Sequence, residues 1–242
     1  DAVTGGDGYV GWSYIRLVTQ SYVNLRVFLQ GSYAGTDTMT TSLNYTGMIP
    51  VHHPFNDTLD IWNYTGSERI YNLHADIVDW VLVELRTGTA ANTTIGKRAA
   101  LLKSDGSIVD LDGTSQVKFN GIVPGNYYIV VRHRNHLPIM SANPVTLSFT
   151  NSSLYDFSAA QTQAYGTEPM ANLLGNVFGM YAGDANQDGF ITSTDFNVFN
   201  PKFVSAASGY EESDWNLDGF VTSTDFNLFN QNFISSKQSY VP

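Results

Sequence analysis

The sequence contains no cysteine, which removes disulfides, thiolate metal sites and a cysteine nucleophile together. Charge is scarce as well: Asp, Glu, Lys and Arg make up 14% of residues, against roughly 25% in ordinary soluble domains. What charge there is leans acidic, to a net −10, which argues against nucleic acid or anionic membrane as the natural partner, since both require Lys/Arg patches. "RHRNH" (Arg132–His136) is the only basic cluster, and it is too short to overturn that field. No apolar run reaches the roughly 18 residues of a membrane span, and no signal peptide is visible. The chain starts at Asp1 rather than Met, which fits an exported, processed protein. Catalytic signatures are also missing: there is no G-x-S-x-G elbow, no H-E-x-x-H and no phosphate-binding glycine loop. The expectation is a chain that is not an enzyme.

What is present is a polar, uncharged, β-prone chain. At 43% hydrophobic and 13% aromatic, it can bury a sizeable core. Residues 1 to about 178 alternate short β-prone runs with Gly, Pro, Asn and Asp punctuation, an all-β signature. The clearest strands are "VDWVLVELR" (Val78–Arg86) and "GNYYIVVRHR" (Gly125–Arg134). Between them "RAALLKSDGSIVDLDG" reads as a hairpin closed at Asp105-Gly106, a dipeptide suited to the positive φ of a tight turn. Further candidates are Val23–Gln30, Met39–Tyr45, Gln116–Asn120 and Pro144–Thr150. Together they predict an antiparallel β-sandwich larger than a minimal immunoglobulin-like one. His133 is expected in the core with Tyr127, Ile129 and Val131, while Arg132 and Arg134 on the opposite face are placed to pair with Glu84. Trp62, Tyr64 and Trp80 read as core aromatics rather than a sugar platform. The sequons at Asn44, Asn56, Asn63, Asn92 and Asn151 occur at about the number composition gives by chance, so a glycan is permitted without being predicted.

After "GMYAG" the composition changes. Residues 183–236 hold eight acids against one base, Lys202, and such concentrated negative charge repels itself unless a cation sits among it. Within this stretch "DANQDGFITSTD" (Asp184–Asp195) nearly repeats as "DWNLDGFVTSTD" (Asp214–Asp225). An EF-hand calcium loop takes oxygen ligands from positions 1, 3, 5, 7, 9 and 12 and turns on a glycine at 6. Here those positions are Asp184, Asn186, Asp188, the Phe190 carbonyl, Thr192 and Asp195, with Gly189 at the turn. The second set is Asp214, Asn216, Asp218, the Phe220 carbonyl, Thr222 and Asp225, with Gly219. Each offers three carboxylates and only hard oxygen donors, so two Ca²⁺ ions are the expected cofactors. Ile191 and Val221, at the eighth positions, are expected to bring the paired loops together. Each loop should run into a helix through a capping box, Thr192 with Asp195 and Thr222 with Asp225. Phe196, Phe199 and Phe203, then Phe226, Phe229 and Phe233, recur at i, i+3 and i+7, one apolar stripe per helix. Neither loop has a convincing helix before it.

A duplicated calcium loop feeding one helix resembles the type I dockerin repeat, over about 55 residues from Gly183 to Ser236. The resemblance implies that the tenth and eleventh loop positions, Ser193 with Thr194 and Ser223 with Thr224, meet a cohesin-like partner. The helices depart from that pattern in lacking basic and leucine-rich residues, and Pro201 should truncate the first of them. The β-region, with "VDWVLVELR", "YYIVVRHRNHLPIMSA" and "QAYGTEPM", is similar to a module at the C-terminal ends of large secreted bacterial surface proteins, where it precedes a dockerin-like pair. That resemblance implies no enzymatic activity.

The resulting organisation is an N-terminal arm or strand at 1–20, a β-sandwich at 21–178, and a dockerin-like calcium module with a tail at 179–242. In the arm, "YVGWSYIRLVT" (Tyr9–Thr19) is strongly β-prone, yet only "QS" separates it from the next strand, and neither residue favours a tight hairpin. Tyr9, Val10, Trp12, Tyr14, Ile15 and Leu17 are therefore candidate partner contacts, adding a strand to an edge of a neighbouring copy. The alternative is that the arm bends into its own sandwich. Two functions stay open: a calcium-stabilised, non-catalytic structural subunit of an extracellular or cell-surface filament, with copies of itself as partners, or a docking module for a cohesin-like protein or a carbohydrate-binding surface protein.

Overall fold

The computed structural model describes residues 19–56 and 61–242. The chain is mainly β. Its strands are β1 (Gln20–Val23), β2 (Leu25–Arg26), β3 (Phe28–Leu29), β4 (Tyr33–Gly35), β5 (Thr38–Met39), β6 (Ile77–Arg86), β7 (Thr94–Lys103) and β8 (Ser107–Val109). There follow β9 (Val117–Asn120), β10 (Gly125–His133), β11 (His136–Met140), β12 (Val145–Leu147), β13 (Tyr155–Asp156), β14 (Ala171–Asn172) and β15 (Phe178–Met180). Among the described residues the α-helices are α1 (Ser42–Tyr45), α2 (Ser193–Val204) and α3 (Ser223–Ile234).

The main sheet runs β11-β10-β6-β7-β8-β2-β13, with β12 also paired to β10. β6 lies inside it, and every one of its residues is buried, which is why apolar residues occupy both of its faces and its charged members Asp79, Glu84 and Arg86 must find partners. The hairpin from β7 to β8 closes at Asp105-Gly106 as expected. Gly106 sits at φ +83°, and a Cβ there would come within 2.9 Å of the Val27 carbonyl, so only glycine fits both the turn and the close approach.

The antiparallel expectation holds for most pairings and fails at two, because β13 pairs with β2 and β15 with β3 in parallel. Both exceptions trace to Val23–Gln30, which is not one strand. Val23, Leu25 and Val27 are buried in alternation, but Val27, Phe28 and Leu29 are buried in succession. The segment therefore leaves the main sheet after β2 and joins β14 and β15 through β3. The strand expected at Met39–Tyr45 is also corrected: only Thr38–Met39 pairs, and Ser42–Tyr45 forms α1. Its Asn44 Nδ2 donates to the carbonyls of His74 and Ile77, at 2.7 and 3.0 Å, bonds that hold a helical turn against the start of β6.

Charge is buried beside the apolar core. Glu84 takes hydrogen bonds from Arg86 Nε at 2.7 Å and Arg132 Nε at 3.1 Å, as the register of β6 and β10 suggests. The expected partnership of Arg134 with Glu84 does not form. A register shift between Val131 and His133 turns the end of β10, and Arg134 Nε instead meets Asp79 Oδ2 at 3.0 Å. His133 is fully buried with Nε2 at 3.1 Å from the same oxygen, a core histidine as expected. Trp62 and Trp80 are core aromatics, and Trp80 Nε1 donates to the Pro50 carbonyl at 2.9 Å.

Helices α2 and α3 begin at the predicted capping boxes, Thr192 with Asp195 and Thr222 with Asp225. The expectation that Pro201 truncates α2 is overturned, since α2 and α3 each have 12 residues. Ring packing explains it. Phe203 stacks on Phe199, Phe199 on Trp215, Trp215 on Phe229 and Phe229 on Phe233, every step at 5.3 Å between centroids and 14–19° between planes. That stack ties the last turn of α2 to its centre, and the one hydrogen bond a late proline removes is the smaller effect.

Candidate metal centre

The two acidic loops adopt the same backbone and nearly the same hydrogen bonds. In the first, Asn186 Oδ1 accepts from Asp188 N at 3.1 Å, Asp188 Oδ1 from Phe190 N at 2.9 Å, and Asp184 Oδ2 from Gly189 N at 3.3 Å. In the second, Asn216 Oδ1 accepts from Asp218 N at 3.0 Å, Asp218 Oδ1 from Phe220 N at 2.9 Å, and Asp214 Oδ2 from Gly219 N at 2.9 Å. These bonds curl each loop round its own carboxylates. Gly189 and Gly219 stand at φ +83° and +90°, the turn position that had to be glycine.

The side chains at positions 1, 3, 5 and 12 are thus brought together at one end of each helix. Asp184, Asp195, Asp214 and Asp225 are fully buried. Burial first, then the charges of Asp195 and Asp188, pushes the Asp184 carboxyl well above the ordinary carboxylate range. Burial raises Asp214 to about 7 against the opposing pull of Arg134. Asp184 Oδ1 is buried with no hydrogen-bond partner, an arrangement that costs stability unless something supplies positive charge to it.

The fit to a cation has one constraint. Among the described residues no group of three or more His, Cys, Asp or Glu side chains is arranged to hold a metal by itself. Asp195 shows why: its Oδ1 accepts from the amides of Ala185 and Asn186, and its Oδ2 from Thr192. An ion here needs the Asn186 side chain, the Phe190 carbonyl and Thr192 as well, a mixed oxygen set that suits Ca²⁺. With those donors counted, the residues fit.

At the eighth positions, Ile191 and Val221 are buried in one apolar cluster, while their backbone amides bond elsewhere than to each other. Ile191 N donates to the Lys237 carbonyl at 3.1 Å, after α3, and Val221 N to the Ala207 carbonyl at 3.0 Å, after α2. Each loop is thus closed by the segment that follows one of the two helices, with bridges Phe190↔Gln238 and Ser208↔Phe220. Among the described residues no helix runs directly into either loop: β15 lies before the first, and a turn and bends separate α2 from the second.

Ser193, Thr194, Ser223 and Thr224 are all exposed. The candidate contacts Tyr9, Val10, Trp12, Tyr14, Ile15 and Leu17 lie outside the described residues. Sequence reasoning missed the residues that attach the second loop to the β-region. Tyr210 Oη and Arg134 Nε both donate to Asp79, Arg134 also reaches the Glu211 carbonyl, and Asn135 Nδ2 donates to the Asp214 carbonyl at 2.7 Å. The available signal was "RHRNH" itself, a basic cluster in an acidic chain.

No family model and no curated protein matches the chain. Among solved structures it is similar to a chain of an N-terminal interface mutant of a type II cohesin–X–dockerin complex from Acetivibrio cellulolyticus, over 92% of this chain and 97% of that one, at 16% identity and a TM-score of 0.40. It is similar too to a chain of a C-terminal interface mutant of a type II cohesin–X–dockerin complex from the same organism, over 66% and 82%, at 18% identity and a TM-score of 0.37. Likeness at that level carries no functional argument. Among the described residues no helix is long and apolar enough to cross a membrane.

Proposed function

We propose that this chain is a non-catalytic, calcium-stabilised structural protein of an extracellular or cell-surface assembly, with one Ca²⁺ in each dockerin-like loop. The observation that carries the calcium reading is the buried Asp184 carboxylate, whose Oδ1 lacks any partner; the loop at Asp214–Asp225 repeats most of its hydrogen bonds, with Asp214 Oδ1 accepting from Asp218 N at 3.1 Å instead. The ligands would be Asp184, Asn186, Asp188, the Phe190 carbonyl, Thr192 and Asp195, and their counterparts Asp214, Asn216, Asp218, the Phe220 carbonyl, Thr222 and Asp225. Bound only by the folded form, the ions stabilise it by mass action. Calorimetric titration of the metal-free protein with Ca²⁺ tests the reading. Two ions per chain are expected, with chelator lowering the melting transition of residues 183–236, and an unchanged thermal unfolding curve with and without chelator refutes it.

The assembly part of the proposal is a filament in which residues 1–20 add a strand to the next copy, a heterologous contact that need not close. Its support is the sequence of Tyr9–Thr19 and of "QS" after it, in which neither residue favours a tight hairpin. Deleting residues 1–20 should leave a folded monomer by analytical ultracentrifugation, and a deletion that assembles unchanged rejects the strand. A second reading, docking to a cohesin-like partner, is favoured by the exposure of Ser193, Thr194, Ser223 and Thr224 at matching positions of a twofold-like module. Loss of a partner complex on replacing those four residues would decide for docking.

A further inference from the structure

The two loops share ten identities or near-identities in twelve positions, and they differ most at the second and fourth: Ala185 and Gln187 in the first, Trp215 and Leu217 in the second. Those two positions decide what each loop touches. Trp215 is fully buried between Phe199 and Phe229. Leu217 is 1% exposed and belongs to the same core cluster as β6 and β10. Its counterpart Gln187 is half-buried and turns back on its own loop, with Nε2 donating to the Asp184 carbonyl at 2.5 Å.

Backbone contacts follow the same division. A Cβ on Gly31 would lie 1.8 Å from the Trp215 carbonyl oxygen and 3.0 Å from Asn216 Cα, and one on Gly219 would lie 2.5 Å from Met48 Sδ. The second loop is therefore pressed directly onto the β-region, and Asn135 and Arg134 bond the chain leading into it. The first loop is open by comparison. Asp188 is exposed where Asp218 is half-buried. A cleft of about 150 Å³ lined by Arg132, Pro138, Asp188, Phe190 and Val241 runs beside it. Its covering strand is the tail, through Ser239 N to the Gly189 carbonyl at 2.7 Å and Ile191 N to the Lys237 carbonyl.

From this asymmetry we infer that the loops hold calcium in two different ways: the 214–225 loop keeps a structural ion that exchanges slowly, and the 184–195 loop takes an ion that exchanges freely and governs the docking of the tail at 237–239. The inference rests on the calcium reading above. An ion leaves when its loop opens locally, and the opening free energy rises with the buried apolar contact that opening breaks. Opening the second loop must withdraw Leu217 from the main core and Trp215 from the ring stack. Opening the first withdraws the smaller Ala185 and Ile191 from the ring-stack cluster and breaks hydrogen bonds to a short tail, with no residue in the main core.

Mixing the calcium-loaded full chain with a fluorescent chelator in a stopped-flow instrument tests this. Two phases are expected, the slower at least tenfold slower than the faster. Asp188→Ala should abolish the fast phase, and Leu217→Gln, which removes no ligand and imports the residue of the other loop, should accelerate the slow one. Hydrogen exchange should lose protection at 237–239 on the time scale of the fast phase. A single phase accounting for two ions, or a slow phase unmoved by Leu217→Gln, overturns the division of labour while leaving two calcium sites in place. Release of no calcium at all overturns the calcium reading itself.

Discussion

The β-region and the C-terminal loops bury carboxylates in opposite ways. Asp79 is fully buried, yet the Arg134 charge and hydrogen bonds from His133 and Tyr210 outweigh the cost of burial and bring it down to about 2. Glu84 is held low in the same manner by Arg132 and Arg86. In the loops, burial wins: Asp184, Asp195, Asp214 and Asp225 are all pushed up. The β-region carries its own counter-ions. Among the described residues the loop carboxyls meet only Arg134 at their edge, so they favour the protonated form or, on the calcium reading, an added cation.

Breaking the internal pairing should have the largest effect. Asp79→Ala strands Arg134 and leaves a buried cation unpaired, a change that costs about 3–5 kcal/mol, read as a lower urea midpoint with or without calcium. The loops should respond to calcium instead. Asp184→Asn removes a buried charge of similar shape, so it should stabilise the metal-free protein by about 1–3 kcal/mol and weaken the calcium-loaded one. A loss of stability in both states would dissolve the contrast between the two regions.

Acidity should separate them next. Asp214 has its folded value raised to about 7 from 3.8, so its protonated form favours the fold. Its contribution to the metal-free protein is full below about pH 4 and lost as pH rises through 7. Asp79, lowered from 3.8 to about 2, contributes stability above pH 4 that is lost as pH falls through 2. Metal-free protein should therefore gain stability between pH 8 and pH 5 and lose it only below pH 4, by thermal melts across that range. With calcium present, the gain between pH 8 and pH 5 should disappear. The smallest change sits on the surface of the ring stack: Phe233→Ala removes a ring 41% exposed and should cost about 0.5–1.5 kcal/mol, seen in the same melts.

Much of the molecule was legible because its signals are local. β6 is rich in β-branched and apolar residues whatever surrounds it, Asp105-Gly106 makes a turn by its own conformational preferences, and the two twelve-residue loops carry their oxygen-donor pattern in fixed spacing. The expectations that failed depended on partners distant in the chain. Val23–Gln30 alternates like one strand, but Phe28 and Leu29 pair with β15, some 150 residues away and invisible to any window. Pro201 argues for a short helix until Trp215, on the next loop, completes the stack beneath it.

The sequence by itself determined the two oxygen-rich loops, the helix starts behind them and the β character of what precedes them, because spacing, capping and alternation act within a few residues. Only the tertiary structure decided which loop is anchored and which is open. Trp215 and Leu217 are merely apolar residues in an acidic loop until Gly31, Met48 and the main core are brought against them, and "RHRNH" is merely basic until β10 delivers Arg134 and Asn135 to Asp79, Glu211 and Asp214. Burial and pairing are properties of what surrounds a residue, and folding alone supplies those surroundings.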